Sequence, residues 1–169
     1  MGALEIRPGV DADLSPLNDL YNHYVRETHF TFDLDPIGID ARREWFTHYG
    51  TTGRHRLLVA TEADRLLGYA TSSPYGERAA YDPSVMTSIY LARAATGRGI
   101  GSRLYGALFD ALDGEDVHRA YAGVALPNAA SVALHERSAF TLVGCFTEQG
   151  RKFGRYWDVA WYERRSTRR

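Results

Sequence analysis

Residues 87–110 read TSIYLARAATGRGIGSRLYGALFD, and this stretch decides the fold. The β-branched, apolar run that ends in Ser88-Ile89-Tyr90-Leu91 predicts a strand. A glycine-rich turn follows over residues 96–102, and apolar residues then recur every four positions, which predicts an amphipathic helix. Unpaired N–H groups and the positive end of the dipole favour a phosphate at a helix N-terminus. Because a strand precedes the turn and a helix follows it, we interpret it as a phosphate site rather than an ordinary tight turn.

The composition of the 169 residues favours a small-molecule function. Lysine and arginine number 20 and aspartate and glutamate 21, so the net charge of −1 lacks the basic excess of nucleic-acid-binding domains. The basic run over residues 164–169 is interpreted as a solvated terminus. No Cys/His cluster has structural-zinc spacing, so we expect no metal site.

The compartment follows from what the sequence lacks. Cys145 is the single cysteine, which excludes an internal disulfide and fits a reducing compartment, and it is interpreted as a packing residue of an apolar strand. No stretch resembles a signal peptide, and no apolar run approaches the roughly 20 residues that span a bilayer. We therefore expect a cytoplasmic protein with neither a membrane nor a nucleic-acid partner.

Hydrophobic periodicity predicts one α/β domain over residues 1–169. Strands are predicted over residues 4–7, 55–61, 66–73, 85–91, 117–124, 141–147 and 157–162. Helices are predicted over residues 11–28, 40–49, 99–112 and 128–138, with Asp40 as the N-cap of the second. The resulting order, β-α-α-β-β-β-α-β-α-β-β, predicts a mixed sheet flanked by helices.

Segments spread along the chain resemble those of the GNAT acetyltransferase superfamily and, within it, of the phosphinothricin and methionine sulfoximine N-acetyltransferase group. They read YNHYV from Tyr21, RAAYD from Arg78, SIYL from Ser88, GIGSRLY from Gly99, LPNAASVALHE from Leu126 and KFGRYWDV from Lys152. Each segment by itself is weak evidence for the family, whereas the order and spacing of all six together are specific for it. The resemblance implies a mixed, mostly antiparallel central sheet with acetyl-CoA in the cleft between the fourth and fifth strands.

The resemblance also implies how the acyl donor is held. The backbone around the fourth strand would pair with the pantetheine arm and point an N–H at the thioester carbonyl, while the turn would bind the pyrophosphate. The implied acetyl-CoA-binding residues are Ile89, Tyr90, Leu91, Gly97, Arg98, Gly99, Ile100, Gly101, Ser102, Asn128 and Ser131. Asn128 could equally be only the N-cap of the helix that follows it.

Two positions depart from the family pattern. Thr96 stands where the superfamily has Gln or Arg at the start of the turn, but backbone N–H groups bind a pyrophosphate whatever the side chain. The Val-Glu pair of the phosphinothricin-type enzymes, whose Glu is the proposed general base, reads Val85-Met86 here. Methionine cannot accept a proton, so the sequence leaves open a slower enzyme, a water relay to another group, or a different acceptor.

His135 is the predicted catalytic residue. It matches the His of the family pattern Asn-x-x-Ser-x-x-x-His, and an imidazole titrates in the range that suits protonation of a departing thiolate or relay of a proton. The alternative is a packed, hydrogen-bonded histidine without a direct role.

The resemblance implies direct acetyl transfer to the amine of a small amino-acid-like substrate by a homodimer. The predicted substrate-binding residues are Phe32, Arg78, Tyr81 and Lys152. Arg78 is the candidate carboxylate clamp because a guanidinium donates two parallel hydrogen bonds, although an exposed loop arginine is the alternative. Aromatic residues near this pocket are either its walls or core and dimer contacts: Phe30, Phe32, Tyr156 and Trp157.

Two rival functions stay open. One is a non-catalytic acyl-CoA-binding or regulatory module that kept the cleft after losing the carboxylate at position 86. The other is acetylation of a protein N-terminus or of an unrelated amine. Thiol release from acetyl-CoA that depends on an added amine distinguishes an enzyme from a module.

Overall fold

The computed structural model describes residues 2–166. Its strands are β1 Leu4–Pro8, β2 Arg56–Glu62, β3 Arg65–Pro74, β4 Ser84–Leu91, β5 Arg119–Ala125, β6 Thr141–Lys152 and β7 Arg155–Arg165. Its helices are α1 Leu14–Glu27, α2 Ile39–Phe46, α3 Ile100–Leu112 and α4 Ala129–Arg137. The seven strands form one sheet in the order β1-β2-β3-β4-β5-β7-β6.

The sheet opens between β4 and β5. These two strands run parallel, whereas every other neighbouring pair is antiparallel. Their pairing extends only from Ser84 and Arg119 to Met86 and Tyr121. Beyond that point β4 stays paired with β3 and β5 with β7, so the two halves of the sheet separate. The predicted mixed, mostly antiparallel sheet with a cleft between its fourth and fifth strands is confirmed.

Each face of the sheet carries an apolar core. On one face the buried side chains of Ile100, Leu104 and Leu108 in α3 pack against the central strands, as their four-residue spacing predicts. On the other face Leu17 of α1 packs with a smaller group that includes Tyr69 of β3. The two helical layers therefore approach the opening between β4 and β5 from opposite sides.

Two predictions about element ends are wrong. Helix α2 begins at Ile39 with the extended residue Gly38 as its N-cap, because the chain has already turned into the helix before Asp40. Strands β6 and β7 are longer than predicted and join in a tight hairpin at Phe153 and Gly154, whose φ angles are +53° and +74°. Residues 148–155 are mostly polar and lack an apolar alternation, so only pairing of the two strands reveals this extension.

Two predictions about exposure are also corrected. Cys145 is exposed rather than packed, because β6 is the outer strand of the sheet. Arg164 and Arg165 belong to β7, and the Arg164 guanidinium lies 3.7 Å from the ring centroid of Phe109 instead of in solvent. The rest of the predicted solvated terminus, residues 167–169, lies outside the described residues. No helix within residues 2–166 is long and apolar enough to cross a membrane.

Candidate active site

A cavity of about 270 Å³, here called the interstrand cleft, occupies the opening between β4 and β5. Its lining comes mainly from β4, β5, α3 and α4, with two aromatic residues from the other face of the sheet. The lining residues are Tyr24, Phe30, Thr87, Ser88, Ile89, Tyr90, Leu91, Thr96, Tyr105, Gly123, Val124, Ala125, Asn128, Ala130, Ser131, Leu134 and His135.

The edge of β4 that faces this cleft carries backbone groups able to pair with an extended ligand. Ala92 N donates to Leu67 O at 2.8 Å on the β3 side. Because the backbone groups of successive residues point to opposite edges of a strand, those of Ile89 and Leu91 face the cleft. The Leu91 carbonyl accepts a hydrogen bond of 2.7 Å from the Tyr24 hydroxyl there. The edge thus has the polarity that the resemblance implies for a pantetheine arm.

The glycine-rich turn has the backbone of an anion site. Gly97 and Gly99 adopt φ angles of +75° and +72°, and no atom lies within 4 Å of a Cβ placed on either residue. The first helical hydrogen bond runs from Arg103 N to Gly99 O at 3.2 Å. The N–H groups of residues 100–102 therefore have no acceptor within the helix and point out of its positive end. These residues fit a pyrophosphate without help from any side chain.

The side chains of the turn are directed elsewhere. The Arg98 guanidinium forms an ion pair of 2.7 Å with Glu62 at the end of β2, and its side chain does not line the cleft. Thr96, which replaces the family Gln or Arg, does line it. The predicted contact between Arg98 and acetyl-CoA stays a prediction. While the ion pair with Glu62 is intact, only the backbone of Arg98 is free to make that contact.

Asn128 and Ser131 lie on the opposite wall of the cleft. The Asn128 side chain accepts a hydrogen bond of 3.2 Å from Ser131 N and so caps α4, as the structural alternative predicts. Both residues line the cleft as well. Their contact with acetyl-CoA stays a prediction.

His135 lines the cleft but is held by protein on both ring nitrogens. Its Nδ1 lies 2.8 Å from the Ser131 carbonyl, which can only accept, so Nδ1 carries the proton. Nε2 therefore accepts from the Tyr105 hydroxyl at 2.9 Å. Burial lowers the pKa of His135, which keeps the imidazole neutral near pH 7. The residue has no N–H left for the cleft, so its predicted catalytic role would pass through Tyr105.

A second cavity, here called the tyrosine pocket, lies on the α1 and α2 face of the sheet. Its volume is about 350 Å³, and it shares Ser88 and Tyr90 with the interstrand cleft. Its lining residues are Tyr21, Asp33, Ile37, Ala41, Arg42, Trp45, Tyr49, Tyr69, Thr71, Ser73, Ser88 and Tyr90. Of these residues only Tyr90 was predicted from the sequence as a site residue. The two cavities meet at β4 from opposite faces.

Arg42 provides the positive charge of the tyrosine pocket. Its guanidinium lies 4.4 Å from the ring centroid of Tyr21 and 4.5 Å from that of Trp45, and Nε donates to Asn18 Oδ1 at 3.0 Å. The side chain is only 4% exposed, so the cation is largely desolvated. Stacking between aromatic rings stabilises such a cation and fixes the plane of its donors.

Residues 28–38, here called the α1–α2 connection, are held in place by hydrogen bonds near both ends. At one end the buried ammonium of Lys152 donates to Thr31 O at 2.7 Å. At the other end the Asn22 side chain accepts a hydrogen bond of 2.7 Å from Ile37 N and donates one of 2.9 Å to Ile37 O. This connection carries Asp33 into the tyrosine pocket, where Asp33 accepts a hydrogen bond from the Tyr21 hydroxyl.

The predicted substrate-binding residues line neither cavity. The ring of Phe32 packs so closely on Gly150 of β6 that a Cβ atom added to Gly150 would lie 2.4 Å from it. Lys152 is buried beneath the α1–α2 connection. Arg78 and Tyr81 are exposed in the segment before β4. Phe32 and Lys152 thus support the connection, and the predicted substrate contacts of all four residues stay predictions.

Met86 occupies the β4 face that borders the tyrosine pocket. Side chains two residues apart share a face of a strand, so Met86 follows the direction of Ser88 and Tyr90. It pairs with Ser73, another lining residue, on β3. The position of the family general base is therefore next to this pocket, and it holds a thioether.

The comparisons with known proteins decide the family. The family model described as an acetyltransferase (GNAT) domain matches residues 6–161. The chain belongs to the GNAT acetyltransferase family. A phosphinothricin N-acetyltransferase of Streptomyces coelicolor is 60% identical over 163 residues, which is 95% of each chain. A methionine sulfoximine and methionine sulfone acetyltransferase of Pseudomonas aeruginosa is 29% identical over 158 residues, covering 94% of this chain and 92% of that protein.

Solved structures agree with this family. An acetyltransferase of Salmonella typhimurium with acetyl-CoA superposes with a TM-score of 0.91 at 27% identity, covering 99% of this chain and 96% of that one. A GNAT phosphinothricin acetyltransferase of Sinorhizobium meliloti in complex with acetyl-CoA gives 0.89 at 28% identity, with coverages of 96% and 88%. The predictions of a GNAT fold, of an N-acetyltransferase and of acetyl-CoA as its cosubstrate are confirmed.

Proposed function

We propose that this GNAT enzyme acetylates the amine of a small amino-acid-like acceptor of the phosphinothricin or methionine sulfoximine type, by direct transfer. One observation carries the proposal: the tyrosine pocket meets the interstrand cleft at Ser88 and Tyr90 and contains the desolvated cation of Arg42. A carboxylate or phosphinate on the acceptor would pair with that cation, which a neutral or basic acceptor would not do. The relatives named for such acceptors support the same conclusion.

In this proposal the two cavities have separate roles. Acetyl-CoA supplies the activated acetyl group along the edge of β4, with the pyrophosphate on the N–H groups of residues 97–102. Backbone N–H groups of Ile89 and Leu91 face the same gap, where one of them stabilises the oxyanion that forms when the amine attacks the thioester. The acceptor approaches from the tyrosine pocket on the other face of β4. An α-amine depends less on a strong base than a lysine-type amine does, because its lower pKa makes deprotonation at pH 7 cost less free energy.

His135 completes the proposal as a residue that acts through Tyr105. Tyr105 lines the cleft and its hydroxyl donates to His135 Nε2, so the pair can take the second proton of the attacking amine and return it to the departing CoA thiolate. Burial raises the pKa of Tyr105, which keeps the hydroxyl protonated before transfer.

The test is acetylation by the purified protein with acetyl-CoA and a panel of amino acids that includes phosphinothricin and methionine sulfoximine. We expect CoA thiol release that depends on one of these acceptors, with acetylated product identified by mass spectrometry. Calorimetric binding of acetyl-CoA without turnover on any amine would favour the non-catalytic module. Turnover only on peptides or on amines without an acidic group would favour the other rival.

The proposal also covers the domain organisation, the oligomeric state and the compartment of the protein. Residues 1–169 form one catalytic domain, supported by a sheet that uses strands from both ends of the chain. The protein is a homodimer, supported by apolar side chains exposed on the outer strand β6, namely Leu142, Val143 and Phe146. It works in the cytoplasm, where acetyl-CoA is available and a lone cysteine stays reduced. Light scattering of the purified protein tests the dimer.

A further inference from the structure

The carboxylate missing from position 86 has a candidate replacement elsewhere in the fold. Among the lining residues of the two cavities, all within the described part of the chain, Asp33 is the only carboxylate. It comes from the α1–α2 connection rather than from β4, but it lines the same pocket that Met86 borders. On the proposed function, we infer that Asp33 binds the ammonium group of the acceptor and receives its proton.

The carboxylate is held in place before any acceptor arrives. The Tyr21 hydroxyl donates to Asp33 Oδ2 and also lies 2.8 Å from Thr31 Oγ1. Thr31 is itself fixed by the buried Lys152, and Asn22 fixes the other end of the connection at Ile37. A carboxylate accepts through both oxygens, so Asp33 can bind an ammonium while it keeps the Tyr21 hydroxyl. Such preorganisation lowers the free-energy cost of placing the acceptor.

The route from Asp33 to β4 is polar and short. The Tyr21 ring stands edge-on to Tyr90 with ring centroids 5.1 Å apart, and the Tyr90 hydroxyl lies near Tyr21 and Thr31. Tyr90 borders both cavities. An ammonium bound at Asp33 therefore lies beside the residue that separates the acceptor from the thioester. Aromatic walls favour a cation at the same place.

Arg42 gives the acceptor its orientation. Its guanidinium lies over the face of the Tyr21 ring, whereas Asp33 is bonded to the hydroxyl of that ring. A zwitterion can therefore place its acidic group at Arg42 and its ammonium at Asp33, with Tyr21 between the two. The substrate class this pair recognises is an amino acid or a close analogue with an unmodified amine.

Both protons that the ammonium group loses during acetyl transfer go to groups named above. The ammonium gives one proton to the Asp33 carboxylate, and because Asp33 is exposed the proton passes on to solvent. The neutral amine forms the new C–N bond with the acetyl carbon, and the C–S bond to CoA breaks. The second amine proton ends on the CoA sulfur, which leaves as the thiol.

The experiment compares Asp33→Asn with the matched control Asp35→Asn, an exposed aspartate two residues away that lines neither cavity. With methionine sulfoximine and phosphinothricin as acceptors, we expect kcat/KM of Asp33→Asn to fall about 10- to 100-fold, mainly through KM, with unchanged binding of acetyl-CoA. Asparagine can still accept from Tyr21, so the connection stays folded. Asp35→Asn is expected to equal the wild type within twofold.

Two further measurements separate amine binding from a structural role. Aminooxyacetate carries a carboxylate but an amine that is neutral at pH 7, so its acetylation should be nearly indifferent to Asp33→Asn, whereas a distorted pocket would slow both acceptors. Adding Met86→Glu to Asp33→Asn should recover about tenfold in kcat/KM, because it returns a carboxylate to the same pocket.

If the wild type acetylates these acceptors and Asp33→Asn does so with the same kcat/KM, the inference about Asp33 is wrong and the proposed function stands. Equal losses for aminooxyacetate and for the amino acids would also overturn the inference about Asp33. If the wild type acetylated none of the amines, the proposed function would fail first, and the inference with it.

Discussion

The interstrand cleft and the tyrosine pocket meet at Ser88 and Tyr90 but are built differently. The cleft draws mainly on consecutive elements from β4 to α4, with Tyr24 and Phe30 in addition, and the groups that we assign to the acyl donor are mostly backbone donors and acceptors. The tyrosine pocket collects side chains from α1, the α1–α2 connection, α2, β3 and β4. Backbone groups recognise a cosubstrate shared by a whole family, whereas a set of side chains from separate elements can change with the acceptor. On the proposed function, this difference accounts for how one fold keeps its acyl donor while the acceptor varies.

The strongest test of this comparison is Gly99→Val in the turn. A β-branched residue at φ +72° costs about 2–3 kcal/mol, and no atom within 4 Å adds a clash, so the strain falls on the turn itself. We expect the Kd for acetyl-CoA to rise about 100-fold by calorimetry. The acceptor KM at saturating acetyl-CoA should stay unchanged.

The control for that variant is Gly106→Ala in the same helix. Gly106 also has no atom within 4 Å of a placed Cβ, but its φ is helical. Its substitution should leave the Kd unchanged and raise stability by about 0.5–1 kcal/mol. Equal Kd values for both variants would mean that the turn does not bind the donor.

The tyrosine pocket is tested by Arg42→Lys. Lysine keeps the charge but loses the planar fork and its stacking between Tyr21 and Trp45. We expect the KM for an amino-acid acceptor to rise about tenfold, with acetyl-CoA binding unaffected. The neighbouring exposed residue provides the control Arg43→Lys, which should change neither constant. A loss of acetyl-CoA affinity in Arg42→Lys would contradict the separation of the two cavities.

A smaller effect is expected at the wall of the cleft from Tyr105→Phe. The change removes the hydroxyl that bonds His135 Nε2 and keeps the ring in the core. A thiol with a pKa near 8.5 is a fair leaving group as its thiolate, so kcat should fall about fivefold at most, with KM values unchanged. An undiminished kcat would leave His135 and Tyr105 as packing residues only.

The smallest effect concerns stability against pH. The pKa of His135 is lowered by burial, so below about pH 6.5 the unfolded chain binds more protons than the folded one and stability falls. His135→Gln removes this contribution. Between pH 7.5 and 5.5 its Tm should therefore fall less than that of the wild type. His118→Gln, at an exposed histidine, should follow the wild type, and a parallel loss in all three proteins would contradict the buried neutral imidazole.

The sequence predicted the cosubstrate half of the site in detail. Local periodicity identified β4 and α3, and the glycines between them fixed a backbone shape that needs no distant partner. His135, Asn128 and Ser131 were found through the resemblance to the family pattern Asn-x-x-Ser-x-x-x-His, and the structure places all three on one wall of the cleft. Their roles at acetyl-CoA stay predictions, but their place beside the cleft is as expected.

The tyrosine pocket, which we propose as the acceptor site, was not predicted from the sequence, for a physical reason. Asp33 and Arg42 look like ordinary charged residues in the sequence, and only the folding of the α1–α2 connection against Tyr21 gives them a common cavity. The one signal that could have been used is local: polar Asn18 and Asn22 occupy the buried stripe of α1, where buried amides need partners. Those partners proved to be Arg42 and the backbone of Ile37.

The sequence alone determined the order of elements and the left-handed glycines of the turn before α3, because both depend on short-range periodicity and backbone conformation. The opening between β4 and β5 was expected from the resemblance to the family. The tertiary structure decided which side chains line the tyrosine pocket, how long the β6–β7 hairpin is, and that Met86 borders a pocket with a carboxylate of another element. These features depend on contacts between residues far apart in the chain, for which no local pattern exists.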